Sequence, residues 1–251
     1  MLYAMDEEIH AGDFDAWLRG MIASLRGDEG TEVPCGSCVG CCVSSYHIPL
    51  RPEDRAALAR IPASALVDAP GLPAGHAMMG YGPDGHCPMF DGTGCTIYPH
   101  RPQTCRDYDC RIFAAAGIMA GGPEKRVINE RVEAWRFRYA DADACRRHAA
   151  IRATAAFIRD RWQAFPGLCA PTAPTGIAVL ALKSHQVFLD PAHEELADEE
   201  RARAILQANR DFGRPVADDL PGGAGGPQSS PCETSPSASL GSNQVDLGGI
   251  T

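Results

Sequence analysis

The stretch "PCGSCVGCCVSS", residues 34–45, places four cysteines within eight positions, and two of them are adjacent. In the C-x2-C-x2-C run a turn of backbone returns the side chain every third residue, so three thiolates can converge on one centre. They can form three corners of a cubane iron–sulfur cluster, with a fourth thiolate arriving from elsewhere in the chain. Four sulfurs can equally bind zinc as a tetrahedron. The pair Cys41–Cys42 is difficult for one small ion, because neighbouring side chains point apart in extended backbone. Two centres side by side account for the pair if each takes one sulfur. The competing account is one centre plus a free or redox-active thiol.

Outward from this run, a second cluster lies in "CPMFDGTGCTIYPHRPQTCRDYDC", residues 87–110. The candidate metal ligands are therefore Cys35, Cys38, Cys41, Cys42, Cys87, Cys95, Cys105 and Cys110, and eight thiolates at four per centre again give two centres. Proline follows Cys87, the candidate for a remote cluster ligand. Glycines at 36, 40, 92 and 94 permit the tight turns that either kind of site requires. The other three of the eleven cysteines, Cys145, Cys169 and Cys232, are scattered. Ordinary burial does not explain such regular spacing. A disulfide framework conflicts with the compartment read below.

The chain has 251 residues, enough for one domain or two small ones. Its N-terminus is acidic and lacks the basic and apolar regions of a signal peptide, and no apolar run approaches the roughly 18 residues of a membrane span. The expected location is the reducing cytoplasm, with no membrane partner. The net charge of −9 is concentrated at the ends, and residues 35–213 balance. The totals supply no basic face for nucleic acid. One local exception is 125–161, with ten Lys or Arg and five acids. It reads as a solvated helix face or as a cationic wall toward the metal site, an acidic partner or RNA.

The expected fold is mainly α, with helices around an irregular loop-built cysteine core and little or no sheet. In "DFDAWLRGMIASLRG" the apolar residues Phe14, Trp17, Leu18, Met21, Ile22 and Leu25 form one helical stripe that Asp13 can cap. "RPEDRAALAR" reads as a short helix with Pro52 in its first turn. Residues 62–95 are dense in proline and glycine and read as loop. "EKRVINERVEAWRFRYAD" is an extended or helical connector to the helix in "ADACRRHAAIRATAAFIRDRWQAF". "PTGIAVLALKSHQVFLD" is read as a helix capped by Thr175, and "PAHEELADEERARAILQANRDFG" as a helix ending at Gly213. Beyond Pro221, 17 of 31 residues are Gly, Pro or Ser, a composition that cannot offset its own ordering entropy. The expected organisation is an acidic N-terminal helix over 1–34, a cysteine-cluster domain over 35–165, a helical extension over 166–213 and a disordered tail over 214–251.

"CGSCVGCC", then "IPLRPED", "CPMF" and "GCTIYPHRPQTCRDYDC", resemble the YkgJ-type cysteine-cluster family over roughly residues 33–112. That family has a CxxCxxxCC-like signature, from which this chain departs by having two residues rather than three before the CC pair. The resemblance implies chelation of zinc or iron. The flagellin lysine methyltransferases are similar in their cysteine region, which implies an iron–sulfur-dependent redox or modifying enzyme as the alternative. No glycine-rich nucleotide loop, zinc-protease motif or nucleophile–base pair accompanies the cysteines. The expected function is thus a metal-chelating protein holding a 4Fe–4S-type cluster or zinc. A structural zinc module is the plainer possibility. Tyr98, Arg101 and Arg106 are candidates for compensating the charge of a four-thiolate centre, about −2. His86 and His100 abut cysteines and are read as non-ligands.

Overall fold

A computed structural model of the chain describes residues 9–27, 31, 33–68 and 71–212. The expectations for the tail, for Cys232 and for the helix stop at Gly213 lie outside the described residues. Within them the chain is mainly helical, as the periodicity implies.

The first elements are a strand, β1 (Ile9–Asp13), running directly into a helix, α1 (Phe14–Leu25). The Asp13 carboxylate accepts from the Ala16 N–H at 2.9 Å, so the expected cap is made. Phe14, Trp17, Leu18, Met21 and Leu25 are buried, and the stripe faces the main core. The core continues through α4 (Arg111–Ala116), α5 (Arg126–Ala134), α6 (Ala142–Asp160), α7 (Pro174–Ser184) and α8 (Asp198–Phe212). Its fully buried residues include Phe14, Phe113, Ile128, Ile151, Ile158, Leu182 and Ile205. Each such side chain contributes about 1.5–3 kcal/mol relative to exposure. Asp141 caps α6 through the Ala144 N–H at 2.8 Å. Pro174, not Thr175, opens α7: the capping position is Ala173, and the helix starts with proline's preset φ.

A second, smaller core of Leu50, Ala57, Ile61, Met79, Met89 and Ile97 lies on the other side of the cysteine loops. It is built on an antiparallel sheet of β2 (Ile48–Leu50), β3 (Leu66–Val67) and β4 (Ala77–Met79), in the order β2-β4-β3. Two short helices complete it, α2 (Arg55–Leu58) and α3 (Gln103–Asp107). Pro52 lies before α2 rather than in its first turn. Asp54 instead joins two segments, accepting from the backbone N–H of Arg51 at 2.9 Å and of Gln103 at 2.8 Å.

Two departures from the sequence reading concern strands. The loop reading of 62–95 misses β3 and β4, which are too short for alternation to register. The connector after Glu124 is a helix followed by β5 (Trp135–Arg138), which pairs parallel to β1 with Ile9 opposite Trp135 and Asp13 opposite Arg138. The register shifts between His10 and Gly12, where Gly12 takes φ +96°. The helix expected from Pro191 begins only at Asp198, after a 3-10 turn at Pro191–His193.

Candidate metal centre

The cysteine runs form the seam between the two cores. The first run has almost no regular structure: the Cys38 N–H donates to the Cys35 carbonyl at 3.0 Å, and Cys41 and Cys42 follow in a 3-10 turn, Gly40–Val43. Gly36 takes φ +57° inside the Cys35–Cys38 turn, a left-handed conformation open to glycine. Gly40 is needed for a different reason. A β-carbon there would stand 3.1 Å from Ile128 Cγ1 and 3.4 Å from the Cys38 sulfur, so the turn could not approach α5 as closely.

The second run wraps the smaller core. The Cys87 N–H donates to the Cys42 carbonyl at 2.7 Å and fastens one cysteine run to the other. Asp91 gathers the N–H groups of Thr93 (2.8 Å) and Gly94 (2.9 Å), which turns the chain so that Phe90 and Cys95 pair across the loop. Cys105 lies on α3, and Cys110 is the residue before α4.

A cavity of ≈ 410 Å³ results, with Cys35, Cys38, Cys41, Cys42, Cys87, Cys95 and Cys105 on its wall. Cys110 is not on that wall. It is buried beside it in the main core, 3.2 Å from the Trp135 indole nitrogen. The exposure of Cys41 is to the cavity it lines. All ten described cysteines are free thiols. Among the described residues no three His, Cys, Asp or Glu side chains already stand as ligands of one ion. The sulfurs face a common space without closing on a point.

Six of these thiols are held protonated. Burial pushes Cys42, Cys105 and Cys110 up to about 12 and Cys41 well above its usual range. Mutual repulsion adds to burial for all four. The same two causes raise Cys35 and Cys87. Such thiols are poor nucleophiles, and a soft cation replacing the protons removes the conflict between burial and charge. The donor set therefore suits zinc or iron.

Cations surround the seam, though not all those expected. Arg101 lines the cavity and stacks on Tyr98 with 4.1 Å from guanidinium to ring centroid, whereas Arg106 turns to Gln103. From the basic stretch 125–161, Arg131 and Lys125 face the cysteine loops. Arg131 donates to the carbonyls of Pro34 and Cys35, both at 3.1 Å, and its charge lowers the Cys35 thiol against the effect of burial. The buried Lys125 ammonium holds the Ser44 carbonyl and lies 3.7 Å from the Tyr46 ring centroid, just after the Cys41–Cys42 turn. Others of the stretch are ion-paired elsewhere, Arg147 with Asp15 and Arg146 with Asp143.

Buried Asp109 and Arg111 anchor the second run in the main core. Asp109 also accepts from the Trp17 indole at 3.0 Å, and Arg111 donates to the Ala11 carbonyl at 3.0 Å. His86 and His100 are absent from the cavity wall, and His86 pairs with Asp84 at 3.0 Å. His47 and His76 are on the wall instead, from loops where a lone histidine carries no signal in sequence. Cys145 and Cys169 lie away from it, with the Cys169 thiol donating to the Pro166 carbonyl at 2.9 Å.

Among the described residues no helix is long and apolar enough to cross a membrane. No curated protein and no solved structure matches the chain. Residues 34–134 match a family model, CxxCxxCC, described as a "putative zinc- or iron-chelating domain". The signature has two residues before its CC pair, as in Cys38 to Cys41, so the departure expected from a CxxCxxxCC-like pattern disappears. Over residues 34–134 the chain is thus similar to the CxxCxxCC domains, whose description is zinc- or iron-chelating.

Proposed function

We propose that this protein holds zinc or a 4Fe–4S-type iron–sulfur cluster through Cys35, Cys38, Cys41, Cys42, Cys87, Cys95, Cys105 and Cys110, and that it stores, transfers or senses that metal without catalysis of its own. The observation that carries the reading is the convergence of seven of these cysteines on one cavity, from runs about 50 residues apart and bordering separate cores. Bound metal would supply four-thiolate cross-links between the two cysteine runs. This chain's residues would supply the thiolates and the cations Arg101, Arg131 and Lys125 that offset their charge. Free thiols suit a reducing cytoplasm. The test is anaerobic purification without chelators, followed by metal analysis and an absorption spectrum. Iron gives a broad thiolate-to-iron shoulder, and zinc gives a colourless protein with stoichiometric metal. Metal-free protein after both this and reconstitution would reject the reading.

A further inference from the structure

Cys41 and Cys42 occupy a 3-10 turn at the point where the two cores meet. Successive side chains on such a turn diverge by about 120°, so the two sulfurs leave it in different directions. Toward the larger core stands Cys110, buried with Trp135. The Cys35–Cys38 turn is held on that side as well. Arg131 of α5 grips the Cys35 carbonyl, and Ile128 of the same helix packs against Gly40 beside the Cys38 sulfur. Toward the smaller core, Cys87 and Cys95 pack against its apolar residues. The Cys87 N–H is bonded to the carbonyl of Cys42 itself. Cys105 joins them from α3, which Thr104 fixes to β2 through the Pro49 carbonyl at 2.6 Å.

Resting on the chelation reading above, we propose that the eight thiols form two separate four-cysteine centres divided between Cys41 and Cys42. One is Cys35, Cys38, Cys41 and Cys110 against the larger core. The other is Cys42, Cys87, Cys95 and Cys105 against the smaller core. Each has the four soft donors of a closed tetrahedral site.

The test loads the full metal-free chain with zinc alone and counts ions by native mass spectrometry. Two zinc ions per chain are expected. The double variant Cys41→Ser/Cys110→Ser removes two ligands of one centre and should keep one zinc, whereas Cys41→Ser/Cys42→Ser breaks both centres and should keep none. Equal retention in the two variants, or the reverse order, overturns the division. Where a variant does not fold, stepwise zinc removal from the wild type with alkylation of released thiols gives the same answer. Cys35, Cys38, Cys41 and Cys110 should become reactive as one group and the other four as a second, and a mixed release overturns the proposal. A wild-type chain holding a single metal centre rejects the division alone. A wild-type chain that binds neither zinc nor iron with sulfide rejects the chelation reading, and the division falls with it.

Discussion

The Trp135 indole N–H donates to the sulfur of Cys110 at 3.2 Å, and the Arg131 guanidinium lies over the same indole, 4.6 Å from its centroid. Trp135 opens β5 and pairs with Ile9, so one side chain connects the second cysteine run to a sheet formed from distant parts of the chain. A hydrogen bond to a ligand sulfur orients it and stabilises its thiolate form.

Trp135→Phe keeps a buried ring and removes the donor. Metal affinity should fall by about tenfold or more, the usual effect of losing a partner behind a ligand. Competition with a chelator measures it. Unchanged affinity would reduce Trp135 to a packing residue.

Metal-free and metal-loaded protein should respond to pH in opposite directions. In the metal-free fold Cys42, Cys105 and Cys110 sit at about 12, above the 9.0 of an ordinary thiol, chiefly because they are buried. Between these values the unfolded chain has lost protons that the folded chain still binds. Stability is therefore full below about pH 9 and falls as pH rises toward about 12. In the loaded protein the thiols are deprotonated in the folded state, so stability falls on acidification as protons compete for sulfur. Thermal melts of both forms across pH test this, and parallel profiles would contradict it.

Asp109→Ala should be among the most damaging substitutions outside the cysteines. Asp109 accepts from the Arg111 side chain at 2.7 Å and 2.9 Å, from the Arg111 backbone N–H at 2.9 Å and from Trp17 at 3.0 Å, all buried. Removing one partner of a buried pair costs about 3–5 kcal/mol. Urea denaturation of the loaded protein measures the loss, and a change under about 1 kcal/mol would mean that the pair is not an anchor.

The helices were legible because burial follows the 3.6-residue period: the α1 stripe and its Asp13 cap can be read directly from residues 13–25. Spacing alone marks out the two cysteine runs, and seven of their eight cysteines line one cavity. The short strands were not legible, because Leu66–Val67 and Ala77–Met79 are fixed by pairing partners far along the chain. Trp135 and Arg131 were hidden for a related reason. Both lie in what reads as a connector, and only the pairing of β5 with β1 and the packing of α5 on the Gly40 turn bring them to the sulfurs. Arg106, adjacent to Cys105, shows the converse. Sequence proximity to a ligand did not turn its side chain toward the site.

Metal content per chain in Cys38→Ser and Cys169→Ser, measured by mass spectrometry beside the wild type, tests the central claim most directly. The unfolded chain has no preformed site, so metal binding contributes about 10 kcal/mol or more to folding for a structural four-thiolate zinc. That is comparable with the stability of a whole domain. Cys38→Ser, on the cavity wall, should lose metal and melt at a much lower temperature. Cys169→Ser, bonded to Pro166 away from the cavity, should keep both its metal and its melting temperature within a few degrees, on the order of a single lost hydrogen bond. Equal metal loss in the two variants, or no metal in the wild type, would contradict the account.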